Sequence, residues 1–242
     1  MVVLFTDFGV NGPYLGQIRY AVARNAPSVP VLDFLADAPA FDPRAAAYLL
    51  ASYVDQFETD TVFLAVVDPG VGGTRHACVV RADDRWFVGP DNGLFNVVAA
   101  RASNPQWWRI HWRPKVLSAT FHGRDVFAPV AGWLATDSHC LEQIATPIAA
   151  PDADWPLDSF TVIYIDSYGN VTSGIRSCVV DIQQRFLIDG HTLSYAKTFC
   201  EAATERPFWY INSNGLVEFA ANRASAAHYL GCRIGDPIQL VK

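Results

Sequence analysis

TVFLAVVDPGVGGTRH, residues 61–76, begins as an apolar run and ends as a glycine-rich turn. The run over 61–67 shows no alternation of apolar and polar residues, which is typical of a strand buried on both faces, as in a parallel sheet. It stops at Asp68, and Arg75 and His76 follow the glycines. Because ligands bind beyond the carboxyl ends of parallel strands, we expect a binding site at this turn.

Strand and helix patterns alternate on both sides of this stretch. A proline opens the helical pattern at 13–25, and Asp42 followed by Pro43 has the residue types of an N-cap and a first helical position. The alternation predicts an α/β fold with a largely parallel sheet over 1–147. The predicted strands are 2–5, 29–35, 61–67 and the pair 77–82 and 85–89, and the predicted helices are 13–25, 42–54, 93–102 and 125–136.

The second half has a different pattern. The stretch TPIAAPDADWPLD, residues 146–158, is rich in proline, alanine and aspartate and has no periodicity, so we expect a linker at 148–158. Short apolar runs at regular spacing then predict a smaller β-rich domain over 159–242, either a sandwich or a barrel. Its predicted strands are 160–166, 177–183, 185–190, 207–213, 216–221 and 236–241.

The composition narrows the class of protein. The chain has 242 residues, of which 51% are hydrophobic and 17% charged, so we expect a folded globular protein. Its formal net charge of −6 is not that of a nucleic-acid-binding protein. The sequence shows no signal peptide and no apolar run near the ~20 residues that span a membrane, so we expect a cytoplasmic protein with no membrane partner. The five cysteines are widely spaced without a C-x-x-C, which indicates neither a zinc site nor a disulfide framework.

Three predicted strands end in an aspartate that glycine follows within a few residues: Asp7, Asp68 and Asp166. Each aspartate alone could simply begin a turn, but three together favour carboxylates that converge on a ligand. Converging carboxylates suit a metal, another cation or a ligand rich in hydroxyls. No cluster with metal-ligand spacing accompanies them in the sequence, so we favour the last two and expect no metal.

A second polar cluster, TFHGRD at 120–125, places His122, Arg124 and Asp125 around Gly123. A histidine in a glycine turn ahead of a helix is either a structural or a functional residue, and the pattern alone leaves both open. The turn GVGGTR resembles a phosphate loop but lacks the Lys-Ser/Thr pair and the third spaced glycine of the nucleotide motifs. The sequence also lacks G-x-S-x-G and H-E-x-x-H, which argues against serine hydrolases and zinc proteases of those types.

Six motifs follow one another along the chain: TDFG, VVDPGVGGTRH, GPDNGLF, FHGRDVFAPVA, IDSYGN and INSNGLVEFA. Their order resembles that of the S-adenosylmethionine (SAM) hydroxide adenosyltransferases, relatives of the fluorinase and chlorinase enzymes. The resemblance implies an α/β N-terminal domain, a β-rich C-terminal domain, and a homotrimer with sites between the N-terminal domain of one subunit and the C-terminal domain of the next. It also implies hydrolysis of SAM to adenosine and methionine, without a cofactor, by attack of water or hydroxide on the ribose 5′ carbon.

The same resemblance implies roles for particular residues. Asp68, Arg75 and His122 match the Asp-Arg-His set of the hydrolase members, without deciding which of them takes the proton of the water. Asp7 matches the aspartate that holds the ribose hydroxyls. The other matches are Asn170 and Glu218 for contacts to the adenine, Phe121 and Phe199 for the faces of the purine, and Asp166 and Ser213 for the methionine.

Two alternative functions stay open at this point. One is a halogenating adenosyltransferase that uses chloride, although the fluorinase pattern has tyrosine and serine where this chain has His122 and Gly123. The other is a non-catalytic protein that binds adenosine or SAM, although such a protein would not need the Asp-Arg-His set. Departures from the family pattern favour weaker substrate binding or a different 5′ substituent; they are Gly12 in place of an aspartate, Leu35 and Ala36 in place of a Thr-His pair, and Asn214 where the fluorinase has arginine.

Overall fold

The computed structural model describes residues 1–151 and 154–241. The chain divides into two compact units. The first unit consists of Met1–Leu50 and Val54–Trp155, and the second of Ala51–Tyr53 and the chain from Pro156 onward.

The stretch predicted as a linker, 148–158, begins with the last residue of a strand, Ala145–Ile148. Residues 149–151 and 154–158 form neither helix nor strand. Asp152 and Ala153 lie outside the described residues, as does Lys242 at the end of the predicted second domain. The predicted domain limits stay predictions.

A mixed sheet of seven strands runs through the first unit. Its strands are β1 Val2–Thr6, β2 Val31–Leu35, β3 Val62–Val66, β4 Ala77–Ala82, β5 Arg85–Pro90, β6 Gln106–Ile110 and β7 Ala145–Ile148. The order is β2-β1-β3-β5-β4-β6-β7, in which the first four strands are parallel and the others join in antiparallel pairs. The α/β class is confirmed, with a sheet that is parallel in one half.

The sequence pattern does not predict β6 or β7, and both have physical reasons for escaping it. In β6, Gln106 and Arg109 are exposed among tryptophans, so no long apolar run marks the strand. In β7, Pro147 lacks the N–H of a strand ladder, which makes the stretch look like a loop. β7 lies at the edge of the sheet, where a proline is tolerated.

The predicted central strand is confirmed as β3, which is buried along its whole length. β1 lies beside it in parallel register, with Thr6 opposite Val66. The two strands therefore end side by side, and the N–H of Asp7 donates to the carbonyl of Val66 at 3.3 Å. Asp7 and Asp68 thus lie at the same edge of the sheet, as the strand-end pattern predicts.

The predicted helices form, with two adjustments. Asp42 caps the second helix by accepting from the N–H groups of Arg44 and Ala45 at 3.1 and 3.0 Å. The helix predicted at 93–102 is shorter, because a turn through Gly93 at φ +98° precedes it. The helix predicted at 125–136 is also different at its start, because Gly123–Phe127 forms a π-helical turn and the α-helix begins at Ala128. The helices are α1 Tyr14–Asn25, α2 Pro43–Tyr53, α3 Asn96–Arg101, α4 Ala128–Thr136, α5 Leu141–Ile144 and α6 Ala226–Leu230, with 3₁₀ turns at Val54–Gln56, Ser138–Cys140 and Ser177–Val179.

The second unit is β-rich, as predicted, and contains two antiparallel sheets around one core. Its strands are β8 Ser159–Ile165, β9 Val171–Arg176, β10 Arg185–Ile188, β11 His191–Leu193, β12 Pro207–Ile211, β13 Leu216–Ala221 and β14 Gln239–Val241. The sheet orders are β12-β13-β9-β8 and β11-β10-β14. Val171 and Phe219 of the first sheet pack in the same buried cluster as Phe186 and Leu193 of the second.

One predicted strand of this unit, 177–183, is wrong. A 3₁₀ turn occupies Ser177–Val179, and the strand lies just before it, as β9. β9 reads as polar because Ser173 and Gly174 lie in its centre. Ser173 is nevertheless buried and donates to the carbonyl of Val217 at 2.7 Å, and Gly174 packs so closely on Ser159 that a Cβ there would lie 2.6 Å from the Cβ of that serine.

Among the described residues, none of the helices has the length and apolar character needed to cross a membrane.

Candidate active site

The glycine turn after β3 brings Arg75 back onto Asp68. Nε of Arg75 donates to Oδ1 of Asp68 at 3.0 Å, and Nη2 donates to Oδ2. The guanidinium therefore binds the carboxylate in a bidentate manner. Gly72 lets the turn pack closely, because its φ is +80° and a Cβ there would lie 2.4 Å from the carbonyl oxygen of Ala119. Glycine therefore allows this turn to contact the loop that carries His122.

The ion pair is shielded from solvent. The Arg75 and Asp68 side chains are only 11% and 5% exposed, and the guanidinium lies 5.3 Å from the ring centre of Phe127. Nη1 of Arg75 donates to the carbonyl of His76 at 3.3 Å. Arg75 is thus held from several sides, and its position is fixed by the fold.

His122 completes the set. Nη2 of Arg75 lies 3.1 Å from Nδ1 of His122. A guanidinium can only donate, so this hydrogen bond requires Nδ1 to accept, and the neutral ring then carries its proton on Nε2. Burial and the positive charge of Arg75 lower the pKa of His122 below its ordinary value of 6.5. The structure therefore brings together all three residues of the predicted catalytic set.

A cavity of about 390 Å³ opens beside the set. Asp7 lies on its wall, and Oδ2 of Asp7 accepts from the N–H of Phe41 at 3.2 Å. Burial raises the pKa of the Asp7 carboxyl, and hydrogen bonds from backbone N–H groups partly offset that rise. The residues that line the cavity are Asp7, Phe8, Tyr14, Phe41, Val66, Asp68, Val71, Thr120, Phe121, His122 and Gly123.

Aromatic rings form one wall of this cavity. The ring of Phe121 lies edge-on to those of Phe8 and Tyr14, with centroids 5.9 and 5.5 Å away. Next to it, Gly123 is buried, and a Cβ there would lie 3.2 Å from Cδ1 of Ile18. Phe121 and Gly123, both predicted site residues, therefore lie beside His122 in the same cavity.

Two residues at the cavity, Tyr14 and Phe41, are not among the site residues predicted from the sequence. Both line the cavity, and as residues they are 49% and 79% exposed. Phe41 has a positive φ of 61°, which is uncommon for a bulky residue and is typical of a position that the surrounding structure enforces. Tyr14 ends the stretch TDFGVNGPY, which begins with one of the six motifs, and that stretch is the signal that could have found it. Phe41 lies in no glycine turn and at no strand end, so no pattern in the sequence marks it.

Two predicted methionine contacts and one predicted adenine contact lie in turns of the second unit. Oδ1 of Asp166 accepts from the N–H groups of Tyr168 and Asn170 at 2.9 and 2.8 Å, and Oδ2 accepts from Nδ2 of Asn170 at 2.9 Å. Ser213 is exposed in the turn between β12 and β13. Because β9 and β13 are antiparallel, the Asp166 turn and the Ser213 turn lie at opposite ends of that strand pair. Their roles toward a ligand stay predictions.

Glu218 and Phe199 also lie in the second unit. Glu218 is buried, and its carboxylate accepts from Tyr210 Oη at one oxygen and from Thr172 Oγ1 and Asn212 Nδ2 at the other, the last two at 2.8 Å. Burial, followed by the hydrogen bond to Glu218 and the charge of that carboxylate, raises the pKa of the Tyr210 hydroxyl. Phe199 is 38% exposed, and its ring lies edge-on to that of Tyr210 with the centroids 5.5 Å apart. The predicted adenine contact of Glu218 and the predicted purine contact of Phe199 stay predictions.

Three of the departures from the family pattern lie in the first unit, and the fourth, Asn214, lies in the turn between β12 and β13. Gly12 is exposed, and Leu35 ends β2. The carbonyl of Ala36 accepts from the N–H of Gly9 at 2.6 Å, so the backbone at this position still holds the loop after Asp7.

Within residues 1–151 and 154–241, no group of three or more His, Cys, Asp or Glu side chains is arranged to hold a metal ion.

The two units correspond to the two domains of a class of enzymes that act on SAM. Residues 2–145 match the SAM hydroxide adenosyltransferase N-terminal domain, and residues 160–239 match the SAM hydroxide adenosyltransferase C-terminal domain. The chain therefore belongs to the SAM hydroxide adenosyltransferase family, which confirms the resemblance seen in the sequence.

Particular relatives cover nearly the whole chain. A protein of Thermus thermophilus named (R)-S-adenosyl-L-methionine hydrolase is 34% identical over 99% of both chains. A protein of the same name from Salinispora arenicola is 34% identical over 97% of this chain and 95% of its own. Among solved structures, an uncharacterized conserved protein from Thermotoga maritima has a TM-score of 0.90 and 30% identity, with 100% of both chains covered.

Proposed function

We propose that the chain hydrolyses SAM to adenosine and L-methionine, by attack of water or hydroxide on the ribose 5′ carbon. Family membership and relatives named as SAM hydrolases support the reaction. The observation that carries the proposal is that one guanidinium, Arg75, contacts both Asp68 and His122 at the wall of a cavity. The cavity volume of about 390 Å³ falls within the range of small-molecule sites, roughly 300–1,000 Å³.

The substrate sets the chemical task. A sulfonium departs as a neutral thioether, so the leaving group needs no proton from a general acid. The enzyme must instead hold a water molecule in line with the C5′–S bond and keep other water out. Asp7 supplies a carboxylate that can accept hydrogen bonds from both ribose hydroxyls, and the ring wall of Phe121 gives the nucleoside an apolar contact.

The proton on Nε2 assigns roles within the catalytic set. His122 presents an N–H to the cavity, so it donates to the oxygen of the attacking water and does not take its proton. Asp68 also lines the cavity, and each of its oxygens has a lone pair beyond the one that Arg75 uses. Asp68 is therefore the acceptor for the proton of the water, and the charge of Arg75 favours the hydroxide that develops.

The step balances on these groups. The water oxygen forms a bond to C5′ while the C5′–S bond breaks. The electron pair of the C5′–S bond stays on the sulfur of methionine. One proton of the water passes to Asp68 and then to solvent. The other stays on adenosine as the 5′ hydroxyl.

Incubation with SAM, with and without chloride, followed by chromatography, tests the proposal. Adenosine and methionine in equal amounts support hydrolysis. Formation of 5′-chloroadenosine would instead support the halogenating alternative, and saturable binding without turnover would support the non-catalytic one. Because the relatives are named for the (R) epimer, we propose that this chain also prefers it, and each sulfonium epimer is assayed separately.

We further propose a homotrimer that acts in the cytoplasm without a cofactor, in which the second unit of one copy completes the cavity of the next. The exposed aromatic residues at the cavity, Tyr14 and Phe41, support a partner surface there. Sedimentation equilibrium should give three times the mass of one chain. A monomer with full activity would contradict this assembly.

A further inference from the structure

The loop that carries His122 is closed by a carboxylate outside the catalytic set. Oδ2 of Asp125 accepts from the N–H of Ser118 at 2.8 Å, seven residues back along the chain. The N–H of Asp125 donates to the carbonyl of Phe121 at 3.2 Å. These two hydrogen bonds bracket the segment in which Phe121 and His122 face the cavity.

Arg124 connects this closure to the rest of the first unit. Its Nε and Nη2 donate to the two oxygens of Asp125 at 2.6 and 3.0 Å, and its Nη1 donates to Oε1 of Gln17 at 3.0 Å. Gln17 lies on α1, next to the core residue Ile18. The guanidinium also lies 5.2 Å from the ring centre of Phe121. The chain Ser118–Asp125–Arg124–Gln17 therefore ties the loop to a helix that is anchored in the core.

The segment formed by residues 122–127 contacts Arg75 at two points. His122 at its start meets Nη2 of Arg75, and Phe127 at the end of the π-helical turn lies against the same guanidinium. A π-helical turn holds one residue more than an α-helical turn, and such turns are frequent at functional sites. A shift of this segment would therefore change the contact between His122 and Arg75 before it changed Asp7 or the Asp68–Arg75 pair.

Resting on the proposed function, we propose that Asp125 is a positioning residue, which holds the His122 ring at the edge of the Asp68–Arg75 pair through Ser118 and Arg124. The carboxylate is suited to this work. Burial alone would raise the pKa of Asp125, but hydrogen bonds from Arg124 and Ser118 outweigh it and lower the pKa, so the group stays ionised.

The test is the Asp125→Asn variant, which keeps the shape of the side chain but removes the charge that binds Arg124. Because small displacements of a catalytic group cost about 10–100-fold in rate, kcat should fall by about that factor. KM for SAM and the Kd for adenosine should change less than about threefold, since a displaced His122 affects the reacting water more than the bound nucleoside. The matched control is Asp84→Asn, which weakens the ion pair with Arg81 in the β4–β5 turn of the same unit. Its kcat should stay at the wild-type value.

A second readout does not need turnover. Diethyl pyrocarbonate modifies imidazole nitrogens, and mass spectrometry of peptides gives the rate at each histidine. In Asp125→Asn, His122 should react several-fold faster than in the wild type, while His139, whose side chain is 83% exposed, serves as the internal reference. This arm keeps the inference testable should the wild type release no adenosine, a result that would count against the proposed function alone.

Two results would overturn the inference. One is a kcat within twofold of wild type together with an unchanged His122 modification rate. The other is a loss of kcat matched by an equal loss of adenosine affinity, which would mean that Asp125 shapes the whole cavity. Should Asp125→Asn fail to fold, Gln17→Ala removes the outer anchor of Arg124 and should show the same pattern to a smaller degree. Unchanged kcat and unchanged His122 reactivity in that variant would also refute the proposal.

Discussion

Replacing Arg75 with methionine removes the guanidinium from the Asp68 pair and from the ring of Phe127, and leaves a shorter, uncharged side chain. The Asp68 side chain is only 5% exposed, so water from the cavity side can replace only part of the two hydrogen bonds that Arg75 donates. The variant therefore keeps a carboxylate that is buried without its partner charge. This is a costly arrangement in a protein interior.

The loss of folding stability in Arg75→Met can be estimated from the burial of the pair. Removing one partner of a buried ion pair costs about 3–5 kcal/mol, and the lost contact with the Phe127 ring adds about 0.5–2 kcal/mol. At about 2–4 °C per kcal/mol for a protein of this size, the thermal midpoint should fall by roughly 7–28 °C. The double variant Asp68→Asn/Arg75→Met removes both charges. It should regain at least about 2 kcal/mol relative to Arg75→Met alone.

Urea unfolding at one fixed protein concentration measures these differences, since any self-association makes stability depend on concentration. The matched control is Arg81→Met, which breaks a pair whose side chains are 38% and 65% exposed and also removes a guanidinium from an aromatic ring, that of Trp86. It should cost less than about 2 kcal/mol. A free energy of unfolding for Arg75→Met within 1 kcal/mol of wild type would show that Asp68 does not depend on a buried ion pair. A double variant no more stable than the single one would do the same.

Three further predictions follow from the same geometry. kcat should stay level as the pH falls to 6.5 and decline only below it, because burial and Arg75 lower the pKa of His122 and protonation removes the acceptor Nδ1; a decline that begins above pH 7 would contradict this. Gly72→Ala should lower stability by about 1–3 kcal/mol more than Gly190→Ala, since both have φ +80° but only the first Cβ meets backbone, at 2.4 Å; equal losses in urea unfolding would count against that contact. Asp7→Ala should weaken adenosine binding about tenfold or more by calorimetry, because hydrogen bonds to a charged group are worth about 1.5–3 kcal/mol; an unchanged Kd would remove Asp7 from the ribose site.

Much of the fold could be predicted from periodicity, and the exceptions share a cause. The long apolar run of β3 and the Asp42–Pro43 start of α2 are local signals, and the structure confirms both. β9 and β7 depend on partners far along the chain. Ser173 is buried only because Val217 accepts its hydroxyl, and Pro147 fits only because β7 lies at a sheet edge. A local sequence pattern cannot predict contacts with residues so far along the chain.

Some contacts of the candidate site could also be predicted from the sequence, and others could not. Asp7 and Asp68 could be predicted to meet, because parallel strands end at one edge of a sheet. Spacing alone could not bring His122 to Arg75, since 47 residues separate them, and that pairing came from the resemblance of ordered motifs. Phe41 was missed because its role depends on a positive φ and on a backbone N–H directed at Asp7.

The most direct measurement is the fate of oxygen when the wild-type protein is incubated with SAM in water enriched in ¹⁸O. Attack of water on the ribose 5′ carbon predicts adenosine that carries one ¹⁸O atom at its 5′ position, and methionine without the label. Release of adenine, label in the amino-acid product, or no conversion of either sulfonium epimer would contradict it.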